Sequence, residues 1–169
     1  MTRSCLVIAL TLLLGTVSTL QGEISSVKGR RMYNKITANL MVNDVGETLD
    51  FYERILGFNM VMAVPENSRE TITARRDDTA LDFAIVKCDG VELMFQSRKS
   101  LSGELPQLED CPPGGTITLY IEVANAEELY ENIKDKVTIV KDLHMSFYGM
   151  QEFYIRDGNG YILTFASRR

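Results

Sequence analysis

The chain has 169 residues, 45% of them hydrophobic, and carries 18 Lys and Arg against 23 Asp and Glu, a formal charge of −5. That length suits one domain with its own core, and an acidic chain with no basic cluster excludes nucleic acid as a partner. Trp is absent and His144 is the single His, so the usual metal ligand and proton shuttle is almost missing from the chain.

Residues 1–22 join a basic Arg3 to an apolar run, Cys5–Leu14, followed by small and polar residues. This is the layout of a secretory signal peptide, and the run is too short to cross a bilayer comfortably. The expected location is secreted or periplasmic, with no membrane contact after processing; a true start at Met32 would instead leave the protein in the cytoplasm. Processing would leave Cys88 and Cys111, an even pair that an oxidising compartment permits to bond. One sits at a strand end and the other in a linker, so the sequence does not set them at bonding distance. Residues 23–35 are polar, with Lys28, Arg30 and Arg31, and read as a tether.

The folded domain is expected over 36–167. Ile36, Ala38, Leu40 and Val42 alternate with Thr37, Asn39 and Met41, the period of a strand with one packed face. Asp44 opens a helix with Glu47 at the capping-box position, Leu49, Tyr52 and Leu56 share one face, and Gly57 closes it. Phe58–Val64, Ala80–Cys88 and Val91–Gln96 read as strands, with Asp89-Gly90 a hairpin turn. The intervening charge run Arg75-Arg76-Asp77-Asp78 balances itself and reads as a solvated loop. Residues 97–115 hold Pro106, Pro112, Pro113, Gly114 and Gly115 and are expected to lack regular structure.

The plan then repeats over 116–167. Strand Thr116–Val123 leads through the cap Asn125, with Glu128 three residues on, into helix Ala126–Lys134. Strands follow near Val137–Lys141, Met150–Arg156 and Tyr161–Ala166. His144, Met145, Phe147 and Tyr148 read as a solvent-exposed loop before the penultimate strand. Asp157-Gly158-Asn159-Gly160 has the acids of a calcium loop, but it lacks the terminal glutamate and runs straight into a strand, so a tight turn is expected. The fold class is therefore α+β, two βαβββ modules over 36–96 and 116–167 whose curved mixed sheets enclose a cavity.

With the apolar alternates turned to the helices, the opposite faces of the outer strands collect the candidate ligand-binding residues. The first module supplies Asn39, Met41, Glu92, Met94 and Gln96; the second supplies Tyr120, Glu122 and Thr164. Amides, carboxylates, a tyrosine and methionines suit a small organic ligand, and the two carboxylates favour a cationic or hydrogen-bond-donating one.

The segments LMVNDVGETLDFYERILGF, VELMFQS, LYIEVANAEELYENI and YGMQEFYIRDGNGYILTF resemble the vicinal oxygen chelate superfamily, which includes glyoxalase I, extradiol dioxygenases and the bleomycin resistance proteins. The resemblance spans nearly all of 36–167 and implies paired βαβββ modules around a cavity, in a homodimer. Metal-dependent members place His, Gln or Glu on the first and last strands of each module. Those positions fall here on Thr37, Thr118, Thr164 and either Met94 or Glu92. No glyoxalase-type metal set is present, so no cofactor is expected beyond a weak Mg or Mn at Glu92 and Glu122. The resemblance thus implies a metal-free protein, nearest the bleomycin resistance-like branch, that binds or sequesters a small molecule without turnover. The alternatives are a metal-dependent lyase, isomerase or epimerase of the same superfamily, and a structural or interaction domain whose cavity is filled.

Overall fold

The computed structural model describes residues 32–75 and 79–169, and the folded unit within them is Thr37–Arg169. The expected signal peptide, most of the tether and Arg76–Asp78 lie outside the described residues. Among the described residues no helix is long and apolar enough to cross a membrane.

The strand–helix–strand–strand–strand order occurs twice. In the first module β1 (Ala38–Val42) leads to α1 (Val45–Arg54), then β2 (Asn59–Pro65), β3 (Leu81–Cys88) and β4 (Val91–Ser97). The second has β5 (Thr118–Glu122), α3 (Ala126–Ile133), β6 (Thr138–Met145), β7 (Met150–Arg156) and β8 (Ile162–Arg168). Each module forms its own four-stranded sheet, β1-β4-β3-β2 and β5-β8-β7-β6, in which the first strand runs parallel to the last and the others are antiparallel. Bulges in β2, between Met60 and Met62, and in β6, on both sides of Lys141, break the register of the outer hairpins. Such bulges bend the strand that carries them, which curves the sheets.

Both helices begin where their caps dictate. The Asp44 carboxylate accepts the Glu47 N–H at 2.8 Å, and the Asn125 side-chain oxygen accepts the Glu128 N–H at 3.1 Å. Leu49 and Tyr52 of α1 and Ala126 and Ile133 of α3 are buried against the alternate residues Leu40, Val42, Leu93 and Phe95, and Ile121, Phe153, Leu163 and Phe165. These side chains form one continuous core, so each sheet has a helix-covered face and an open one.

The linker holds more structure than its prolines suggest. Helix α2 (Arg98–Glu104) starts at Ser97, whose hydroxyl accepts the Ser100 N–H, and it buries Leu101. The prolines begin only after it, at a 3-10 turn over Pro106–Leu108. Arg75 is likewise anchored: it pairs with Asp50 of α1 and donates to the Gly46 carbonyl at 2.9 Å. Cys88 and Cys111 are free thiols.

The modules are tied together by the β7–β8 turn. Asp157 is buried, and its Oδ1 accepts the N–H groups of Asn159 and Tyr161 at 2.9 and 2.8 Å. Its Oδ2 accepts the Tyr52 hydroxyl of α1 at 3.1 Å. Asn159 bridges to Thr48 and to the Asn43 N–H, and the Tyr161 hydroxyl donates to the Met41 carbonyl at 3.0 Å. Gly114 crosses this turn so closely that a Cβ there would stand 3.0 Å from the Gly160 backbone. The four-residue turn is thus a structural knot with its acid turned inward.

Burial pushes the Asp157 carboxyl above its ordinary pKa, although the turn N–H groups and the Tyr52 hydroxyl oppose the shift. The folded state therefore holds this proton more tightly than the unfolded chain does. The contribution of Asp157 to stability is fullest below the ordinary carboxylate pKa and falls as pH rises through the raised one. In urea unfolding, Asp157→Ala is expected to cost about 3 kcal/mol by stranding the Tyr52 hydroxyl and two N–H groups. Asp157→Asn should gain on wild type as pH climbs through that window; parallel pH profiles for the two proteins would contradict this.

Candidate functional site

The open faces are built by strand alternation and set in register by the ladders. On the first sheet one row runs Asn39–Met94–Ile85–Met62 and the next Met41–Gln96–Phe83–Val64. All five residues expected from the first module lie on this face. Asn39 Nδ2 donates to Gln96 Oε1 at 2.8 Å, and Gln96 Nε2 donates to Ser100 Oγ of α2 at 3.0 Å. Met41 and Gln96 are buried, so one end of the face is covered. Glu92 lies further along β4, where its Oε1 is 3.5 Å from the Thr37 hydroxyl, a long donor contact.

The second sheet carries different chemistry at the same places. Its rows run Tyr120–Thr164–Tyr154–Lys141 and Glu122–Ala166–Glu152–His144. Thr164 is buried between two tyrosines, while Tyr120 and Glu122 are exposed. Glu92 and Glu122 belong to separate sheets. Among the described residues no three His, Cys, Asp or Glu gather closely enough to hold a metal ion.

The most developed polar arrangement was not among the expected residues. Glu152 is only 2% exposed, and each of its oxygens accepts a phenol, Oε2 from Tyr148 at 2.7 Å and Oε1 from Tyr154 at 2.9 Å. The expected loop at His144 is instead the end of β6. Its Nδ1 lies 2.9 Å from the Asp142 carbonyl, its Nε2 3.6 Å from Glu152 Oε1, and its ring stacks on Tyr154. Lys141 Nζ stands 5.3 Å from the centre of the Tyr154 ring. Alternation along Met150–Arg156 is the signal that puts Glu152 and Tyr154 on one face; the fold-back of Tyr148 over them has no signature in the sequence.

The two sheets do not close on each other within one chain. The larger apolar hollow is instead a groove of about 490 Å³ on the helix side, where Cys88–Val91 faces Ile121–Asn125, floored by Phe58, Ile121 and Phe165. Glu122 reaches its wall. Its counterpart between α1 and the Asp157 turn is about 240 Å³, because the longer β7–β8 turn occupies the space.

The hydrogen bond to Glu152, then burial, push the Tyr148 phenol up to about 12, and the same carboxylate raises Tyr154. Glu152→Gln removes the charge while keeping an acceptor. Followed by NMR of the phenol carbon, it should bring Tyr148 down toward the ordinary tyrosine value; an unchanged titration would contradict the contact.

The family model described as the glyoxalase/bleomycin resistance protein/dioxygenase superfamily matches residues 34–165. No curated protein matches the chain. Among solved structures, the fold is similar to TioX from Micromonospora sp. ML1, with a TM-score of 0.59 at 19% identity over 81% of this chain and all of that one. A member of the same superfamily from Sphaerobacter thermophilus gives 0.60 at 22% identity, covering 82% of this chain and 100% of the other. The bleomycin-binding protein of Streptomyces verticillus, complexed with copper(II)-bleomycin, gives 0.53 at 18%, covering 83% and 100%. At these identities the likenesses establish the fold.

Proposed function

Because the chain belongs to the glyoxalase/bleomycin resistance protein/dioxygenase superfamily, we propose that it is a metal-free protein that binds or sequesters a small organic molecule on its open sheet faces. The observation that carries this reading is the side-chain set at the family's ligand positions. Thr37 stands beside Glu92, Thr118 beside Ile162, and Thr164 beside Tyr120. Hydroxyls with a single carboxylate are weak ligands beside the His, Gln or Glu that metal-dependent members place there. The donor set therefore does not fit the metal of glyoxalase-type relatives, and no reaction step is assigned to one.

What the faces do offer is contact and hydrogen bonding. Asn39, paired with Gln96, presents an amide beside Met94, and Tyr120 presents an aromatic ring over the buried Thr164. The bleomycin-binding relative holds a copper-bound organic ligand on the same fold, which supports a binding role. Tyr120 and Tyr148 are exposed beside Thr164 and Glu152 of the second sheet, and the exposed Phe147 packs edge-on against Tyr148. We assign their cover to a second copy of the chain, so that the ligand lies between faces in a homodimer.

A thermal-shift screen of a broad small-molecule library tests the reading, since a ligand at 100 times its Kd adds about 2.7 kcal/mol of stability. At least one compound should raise the midpoint, and elemental analysis of the same protein should find no stoichiometric metal. Tightly held Mg or Mn would favour the lyase, isomerase or epimerase alternative. Silence across the library would favour a structural domain.

A further inference from the structure

We propose that the open face of the second sheet is a recognition site for an organic cation, a quaternary or protonated amine, received by the tyrosines that ring Glu152. This rests on the small-molecule reading above and narrows it to a ligand class. Buried carboxylates need a reason, because burying one costs several kcal/mol unless it is compensated. The protein has two contrasting cases. Asp157 organises a turn by accepting backbone N–H groups. The hydrogen bonds of Glu152, by contrast, come from two phenols, neither of which needs it: Tyr148 is 52% exposed and Tyr154 half-buried, within reach of solvent partners. The one basic side chain within 4 Å of it among the described residues is His144, 3.6 Å away.

The arrangement places a negative charge just beneath a surface of aromatic rings. A phenol that donates to a carboxylate has a more electron-rich ring, and a cation over such a ring is attracted by both the ring and the charge behind it. Tyr120 is half-exposed and shares a row of the face with Thr164 and Tyr154. The face already takes an ammonium: Lys141 Nζ sits over the Tyr154 ring. An incoming cation would take over a place that the chain fills with its own side chain. On the first sheet the positions that match Tyr154 and Glu152 are Ile85 and Phe83, so the buried carboxylate under tyrosines belongs to the second face.

Choline and its neutral isostere 3,3-dimethyl-1-butanol separate charge from shape, with binding read from the NMR shifts of the tyrosine rings. Choline should bind about tenfold more tightly than the isostere, moving Tyr120, Tyr148 and Tyr154. Glu152→Gln should remove most of that preference, and Tyr148→Phe, which keeps the ring but loses its link to the carboxylate, should reduce it. Lys141→Gln, at an exposed position, should tighten choline by removing the internal competitor, an effect that a purely structural Glu152 would not produce. Equal affinity for the two probes, or a Lys141→Gln protein that binds choline no better, would overturn the proposal. Library compounds that bind with no preference for charge would overturn the cation site alone; a library without any binder, with choline silent too, would overturn both it and the binding function.

Discussion

Everything on the open faces depends on one buried contact, the hydroxyl of Tyr52 on α1 donating to Asp157 in the turn between β7 and β8. A duplicated module does not of itself say how its copies sit together. Here the turn of the second copy enters the first and is held by Asp157, Asn159 and Tyr161, which reach α1 and the backbone beside β1. Apolar packing supplies the larger stabilisation across the shared core, but it is non-directional. The buried hydrogen bonds select a single arrangement, because any other leaves a carboxylate and a phenol unsatisfied in a low-dielectric interior.

The same comparison explains why the duplication is unequal. The Asp157 turn fills the space against α1, whereas the shorter Asp89-Gly90 turn leaves a groove against α3. The open faces differ in a parallel way. Amides, methionines and aliphatic residues line the first, tyrosines and a buried glutamate the second. Two copies that began with the same plan thus keep the architecture and divide the chemistry.

Much of the fold was legible because it rests on local signals. Asp44 and Asn125 cap the helices with the spacing their capping boxes imply, and the two-residue alternation separates Leu40 and Val42 from Asn39 and Met41. The signals failed where a neighbour distant in sequence decides. Helix α2 was hidden by the prolines that follow it, although Ser97 and Leu101 supply its cap and its buried anchor. The bulges around Lys141 disturb the alternation of β6, which made the strand end at His144 look like a loop. Glu152 is covered by Tyr148, which folds back across the Gly149 turn, a contact between loop and strand that no local pattern announces. The alternation also sorts the candidate residues of each module onto one face of its own sheet.

The central claim is that this pair of faces holds an organic molecule without a metal. A crystal structure of the protein grown with a stabilising compound, with anomalous scattering recorded for bound ions, tests it most directly. Ligand density is expected against Met94 and the Asn39–Gln96 pair on one side and Tyr120 and Tyr154 on the other, with no ion at Glu92. An ion held between Thr37 and Glu92, or a ligand seated only in the Cys88–Ile121 groove, would contradict it.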